Sequence, residues 1–367
     1  MSCQETAGCK YQSDAPYLDG EQEKVGGEIG MENKYQVSVS PHVRDNITTQ
    51  KIMLAVILAL MPACIFGVLN FGLHALLILV LTPCAAVLSE YAYEKLLHKK
   101  VTIGDLSAAL TGILLAMNMP PEIAWWIPVL GAVFAIIVIK QLYGGLGQNF
   151  MNPALGARCF LLIAFSGQMT TYASNGGFIP TLWNVPATTD ALSGATPLAY
   201  LKLGEHFDLG ALFLGNVGGV IGETSAVCLI AGGLFLVVLK VIEIRIPAVY
   251  IGSFAVLTLA TAAIRGYSDP LVFTLEEICA GGLMLGAWFM ATDYVTSPMT
   301  PKAQYVYAIL LGVLTWIFRM IGKSSEGVSY AIIFMNCLVP LIENYTKPLA
   351  FGIVKEKKTK EKEEKKA

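Results

Sequence analysis

The chain has 367 residues, 55% of them hydrophobic and only 14% charged, with a mean hydropathy of +0.60 and a formal net charge of -2. Soluble domains carry about a quarter charged residues, so this balance excludes a soluble globular enzyme and points to an all-α polytopic membrane protein. No basic patch suits nucleic acid, which leaves membrane lipid as the first partner.

Residues 1–37 form a polar N-terminal tail rich in Gly, Glu, Asp and Ser, with few large apolar side chains. Its Cys3 and Cys9 are candidates for metal-reactive or redox-active thiols, but their spacing matches no zinc or iron-sulfur signature strongly and no metal site is assigned. The first apolar run starts only about fifty residues in, so no cleavable signal peptide is expected and the first span is the insertion signal. Apolar runs then follow at about 52–70, 73–94, 103–119, 123–143 and 150–167. After a polar interruption of about forty residues, five more lie near 219–241, 247–264, 275–291, 303–321 and 327–343. Crossing the hydrocarbon core takes roughly 17 to 25 residues, so about ten transmembrane helices are expected. Flanking Gly and Pro mark some of them as short or broken.

An internal echo organises these runs. Met119-Pro120-Pro121, a span with Gly131 and then Phe150-Met151-Asn152 reappear as Met299-Thr300-Pro301, a span with Gly312 and Phe334-Met335-Asn336, offset by about 180 residues. Two halves separated by an odd number of crossings have opposite topology, which predicts two inverted five-helix repeats. Their expected bounds are 38–168 and 209–352, around a 169–208 loop and before a charged tail at 353–367. Cytoplasmic loops accumulate Lys and Arg. Lys95, Lys99, Lys100, Lys140, Lys240, Arg245, Lys302 and the tail then fall inside, against Arg265, Arg319 and Lys323. Both termini are therefore expected in the cytoplasm and the 169–208 loop on the outer face of the membrane.

Polar residues within apolar runs are the candidates for chemistry, because they are costly in lipid. Arg158 requires a wet cavity or an anion, either a ligand phosphate or an intramembrane carboxylate. Glu223 and Asp293 are candidates for coupling to Na+ or H+ movement, whereas Glu90, Asp105 and Glu276 lie at span ends and read as interfacial. Asn149 and Asn152 would share a helix face and could bond the edge of a planar heterocycle, or they cap a helix break after Gly144, Gly145 and Gly147. Cys64, Cys84, Cys159, Cys228, Cys279 and Cys337 stand singly in apolar runs and read as inert buried thiols. Trp125, Trp126, Tyr91 and Tyr93 read as interfacial anchors.

The polar loop holds Asp190-Ala191-Leu192-Ser193-Gly194-Ala195-Thr196-Pro197. Thr196 before Pro197 suits a helix start, and the same place suits a phosphate ester. The run resembles the flavinylation motif D-x-x-(S/T)-G-A-T, at which a dedicated flavin transferase attaches FMN to the Thr. With Ser40-Pro41-His42-Val43-Arg44 and the 144–153 stretch, the chain is similar over roughly residues 38 to 352 to the D-type membrane subunit of Rnf-type ion-translocating ferredoxin:NAD oxidoreductases. That family is related in turn to a membrane subunit of the sodium-pumping NADH:quinone reductase.

The resemblance implies FMN in phosphodiester linkage to Thr196, with Asp190, Ser193, Gly194 and Ala195 completing the motif, and makes a flavin phosphate the ligand phosphate open to Arg158. It also implies a second, non-covalent flavin such as riboflavin at Asn149 and Asn152. The implied partners are an outer covalent-flavin subunit, membrane iron-sulfur subunits, and cytoplasmic ferredoxin- and NAD-reactive subunits. No P-loop, dinucleotide fingerprint or hydrolytic cluster is present, so substrate oxidation falls to other subunits. Two other readings remain: a solute channel or secondary transporter built on inverted repeats, which has no need of the motif, and a scaffold that carries no electrons.

Overall fold

The computed structural model describes residues 47–171, 197–202, 207–223, 225–267, 269–322 and 327–347. The flavinylation motif, the N-terminal tail and the C-terminal tail lie outside these residues. Among the described residues there are helices and connecting loops but no strand.

The first half holds α1 (Thr49–Phe71), α2 (Leu73–Leu96), α3 (Ser107–Met117), α4 (Trp126–Gln141) and α5 (Pro153–Ala164). The second holds α6 (Ala226–Val238), α7 (Arg245–Arg265), α8 (Pro270–Cys279), α9 (Leu283–Met290), α10 (Pro301–Met320) and α11 (Val328–Thr346). Each of the ten apolar runs carries a helix, the eighth being split into α8 and α9. Five helices are long and apolar enough to cross a membrane, or six if α8 and α9, bent by 65°, count as one span. The other four runs fold as α3, α4, α5 and α6. At 1.5 Å per residue the 11-residue α3 covers about 16 Å, half of a hydrocarbon core.

Side-chain placement on α1 is inverted relative to a soluble helix. Leu54, Leu58, Met61, Ile65 and Leu69 are exposed at helical spacing, while Ala59, Ala63, Cys64 and Gly67 are buried. Large apolar groups facing out and small ones facing in are what a lipid-facing helix needs, since close backbone approach replaces the hydrophobic drive between helices. Gly232 of α6 illustrates the approach: a Cβ there would stand 2.3 Å from the carbonyl oxygen of Ala59.

The packing has matching partners in the two halves. α2 packs on α3 and α4, and α7 packs on α8 and α10; across the halves, α1 meets α6 and α5 meets α11. Phe150-Met151-Asn152 and Phe334-Met335-Asn336, by contrast, differ in local structure. Asn152 caps the start of α5, while Asn336 lies inside α11.

Where helices stop short, other groups satisfy the backbone, as lipid requires. The loop before α6 donates from Ile221 N–H to Met119 C=O (3.1 Å) and from Gly222 N–H to Met117 C=O (2.8 Å), and Asn70 of α1 donates to Gly215 and Val217 C=O. The break between α8 and α9 turns at Gly281, whose φ of +67° L side chains rarely adopt. Arg319 of α10 covers the exposed end of α8, donating to the carbonyls of Glu277 (2.5 Å) and Ala280 (3.0 Å) and pairing with the Glu277 carboxylate at 3.2 Å.

Several readings are corrected. Glu90 and Glu276 are not interfacial; they are 0% and 1% exposed, because each has polar partners inside the bundle. Cys84 and Cys337 are exposed rather than buried, because they lie on outward helix faces. Arg319 and Lys140 are buried in ion pairs and so are not loop charges.

Candidate functional site

Two polar clusters meet where the short helices end. The first surrounds Arg158 on α5. Its Nη1 donates to Asn118 Oδ1 (2.6 Å), Ser329 Oγ (3.0 Å) and Glu223 Oε1 (3.1 Å). These partners come from the end of α3, the start of α11 and the loop before α6, so one side chain ties together both halves of the chain. Of the two anions open to Arg158 on sequence, the structure supplies the carboxylate. Arg158 is 3% and Glu223 7% exposed. Gly282, at the α8–α9 break, leaves room for that carboxylate: a Cβ there would sit 2.4 Å from Glu223 Oε1. Glu223 also borders a small cavity of about 20 Å³ with Pro197, Leu198, Ala280 and Gly281. Pro197 is the residue after the motif's Thr196 and opens the short helix Pro197–Lys202.

The second cluster lines a cleft between α1, α3, α4 and α9. It has about 80 Å³ of room for water-sized groups, and about 760 Å³ of empty space with its open mouth counted. Val56, Leu110, Leu114, Leu236 and Phe289 give apolar walls, and Lys140, Asn149, Asn152, Trp288 and Asp293 contribute polar groups. Asn149 lies in the turn before α5 and donates to Met151 C=O (3.1 Å). Asn152 is the N-cap, its Oδ1 accepting from Ala154 N–H (3.0 Å) and Leu155 N–H (3.4 Å), with Pro153 at the first helical position. The cap reading of Asn152 is therefore seen, and the residue faces the cleft as well. Gly144, Gly145 and Gly147 all have positive φ, which only glycine adopts without strain, and they turn the chain from α4 to this cap.

Asp293, paired with Glu223 as a coupling candidate on sequence, stands apart from it. It accepts from Thr296 Oγ1 (3.1 Å) and Val295 N–H (3.5 Å) in the turn after α9. Met290 links the clusters: its carbonyl accepts from Asn152 Nδ2 (3.4 Å), and Asn118 Nδ2 lies 3.9 Å from its sulfur.

Sequence reasoning missed Asn118, Ser329, Trp288 and Lys140 as site residues. A signal existed for Lys140, a lysine inside an apolar run. Both α4 and α9 pass into π-helical geometry as they reach the cleft, over Phe134–Gln141 and Gly286–Met290. Such widened turns recur at functional sites.

A family model described as NQR2, RnfD, RnfE matches residues 36–352. The chain is 46% identical over 327 residues to the D-type subunit of the Na(+)-translocating ferredoxin:NAD(+) oxidoreductase complex of Acetobacterium woodii, covering 88% of this chain and 96% of that one. It is 42% identical to the proton-translocating counterpart of Clostridium ljungdahlii, over 87% and 97% of the two chains. The D-type subunit of an ion-translocating oxidoreductase complex of Escherichia coli O127:H6 is 35% identical over 87% and 98%. Likeness to a sodium-named and a proton-named relative is nearly equal, so it does not choose the ion.

Proposed function

The chain belongs to the NQR2, RnfD, RnfE family, and from that premise we propose that it is a membrane component of a redox-driven ion pump, an ion-translocating ferredoxin:NAD+ oxidoreductase. In this reading FMN is esterified to Thr196 by a flavin transferase, and the protein relays electrons in coupling to Na+ or H+ movement. The observation that carries it is likeness over nearly the whole length of the D-type subunits of such complexes, together with the intact D-x-x-S-G-A-T run at 190–196. The flavin supplies the redox chemistry and the protein binds, orients and tunes it. The working partners are an outer covalent-flavin subunit, membrane iron-sulfur subunits and cytoplasmic ferredoxin- and NAD-reactive subunits.

Ten crossings in two inverted repeats follow if each short helix completes its passage with buried, internally bonded backbone. The matching packing partners of α2 and α7, and the contacts α1–α6 and α5–α11, support that plan. Both termini then lie in the cytoplasm and Thr196 on the outer side.

The lining of the cleft supports the reading of a second, non-covalent flavin there. Its walls are apolar, Asn149 offers an amide, and the buried Trp288 Nε1 has no hydrogen-bond partner among the described residues. Glu223, the ion-pair partner of Arg158, borders the small cavity lined by Pro197, the residue that follows Thr196 in the sequence. Glu223 and Asp293 remain the residues proposed for cation coupling.

Intact mass and in-gel fluorescence of the protein from its native host test the covalent site. A fluorescent band heavier by one FMN less water, absent in Thr196→Ala, is expected. An unmodified mass with the transferase present moves the transporter reading forward.

A further inference from the structure

Lys140 and Glu90 form an ion pair whose presence stability does not explain. They are 2% and 0% exposed, and Lys140 Nζ lies 2.6 Å from Glu90 Oε1. That same carboxylate oxygen accepts from Gln141 Nε2 at 2.7 Å, while Oε2 has no hydrogen-bond partner among the described residues. A buried pair is often no more stabilising than apolar residues of equal volume, and a buried polar atom left unbonded is a further cost. The pair therefore requires another explanation, and its position supplies one.

Lys140 and its hydrogen-bond partner Ser107 line the cleft and Glu90 does not, so an occupant borders the lysine side of the pair. The π-helical end of α4 makes this possible. On an α-helix neighbouring residues point about 100° apart, whereas here the consecutive Lys140 and Gln141 reach one oxygen. An ammonium has three donors. Lys140 uses one on Glu90 and a second on Ser107 Oγ (2.6 Å), and among the described residues the third has no acceptor. Trp288 Nε1 is a second donor without a partner, on a residue lining the same cleft. Two spare donors, one of them cationic, select an occupant with an acceptor-rich edge that can carry negative charge.

We infer that Lys140 is the residue that sets the redox potential of the cleft's flavin, donating to the ring's nitrogen and carbonyl edge. This rests on the second-flavin reading of the cleft. When two electrons from another flavin or iron-sulfur carrier of the complex arrive with one proton, the ring gains one negative charge. Lys140 compensates that charge and favours reduction. Glu90 tempers the effect from behind, and Asp293, on the cleft lining, opposes it. Replacing the two members of the pair therefore has opposite consequences.

The test uses the intact complex from its native host, in wild type, Lys140→Met, Lys140→Arg, Glu90→Gln and Asn149→Leu. Acid-releasable flavin is counted, and the midpoint potential of the non-covalent flavin is measured by spectroelectrochemical titration. Lys140→Met is expected to shift the midpoint to more negative potential, Glu90→Gln to more positive potential, and Lys140→Arg to keep it near wild type. A flavin that is retained with an unmoved midpoint in both Lys140→Met and Glu90→Gln, or shifted the same way in both, overturns the role of Lys140 alone. Acid-releasable flavin that is absent from wild type, or undiminished in Asn149→Leu, overturns the flavin reading of the cleft and this inference with it. If Lys140→Met does not assemble, Lys140→Arg and Glu90→Gln decide: a Glu90→Gln midpoint that does not rise overturns the proposal.

Discussion

Arg158 shows what a single buried charge demands. With three acceptors on one nitrogen, it holds α3, α5, α11 and the loop before α6 together, so its loss has structural as well as electrostatic effects. Removing one partner of a buried pair typically costs about 3–5 kcal/mol, whereas neutral substitution of both costs far less. Arg158→Met is expected to lower the thermal transition of the purified complex markedly, and Arg158→Met/Glu223→Gln to recover most of it. Both variants are expected to lose ion transport coupled to electron flow, read in proteoliposomes. Equal stability loss in single and double variants argues that the hydrogen bonds to Asn118 and Ser329, rather than the charge pair, carry the site. The cost of Arg158 in an apolar run was legible in the sequence. Its partner was not, because Glu223 is 65 positions away and only the fold joins them. Lys140 was misread for a related reason: a lysine beside a Gly-rich turn has the composition of a loop charge, and its burial depends on Glu90 of α2.

Elements were easier to read than contacts, since apolar runs of about twenty residues announce themselves. Their breaks were partly readable. Gly and Pro marked short helices, yet nothing in 275–291 fixed the bend of 65° at Ala280-Gly281-Gly282. That bend needs Gly281 at positive φ, and it needs Arg319 to satisfy the freed carbonyls from a different helix. Gly282 couples the break to the Arg158 cluster. Gly282→Ala places a methyl carbon 2.4 Å from Glu223 Oε1, so either the carboxylate or the break must move. The expected result is a loss of ion coupling resembling that of Glu223→Gln, with assembly of the complex retained. Gly252→Ala is the control, since a Cβ at that α7 position meets nothing within 4 Å. Wild-type coupling in Gly282→Ala means that the break absorbs the methyl group without disturbing Glu223.

At the scale of the molecule, the distribution of charge and the packing plan both bear on the proposed topology. Lys95, Lys99 and Lys100 are exposed together at the end of α2, with Lys95 over the Tyr91 ring (5.5 Å) and Lys99 over the Tyr93 ring (5.0 Å). Amphipathic aromatics beside basic residues belong at a membrane surface, which is the cytoplasmic one in the topology proposed above. Burial in ion pairs withdraws one charge on each side of the tally, Arg319 against this assignment and Lys140 for it, and Arg265 remains a genuine exception. If α5 completes a crossing despite its 12 residues, the chain leaves the first half on the outer side. The second half then starts there and repeats the plan inverted. Single cysteines at exposed positions test this parity, in a background where Cys3 and Cys9 and the exposed thiols of the described residues, Cys84 and Cys337, are replaced by Ser. Lys100→Cys is expected to react with a membrane-impermeant maleimide only from the cytoplasmic side. Gln168→Cys and Arg265→Cys are expected to react only from the outer side. Labelling of Gln168→Cys from the cytoplasm makes α5 a re-entrant turn. That outcome removes the inverted plan, and with it the outer placement of Thr196, because both depend on an odd number of crossings before the loop.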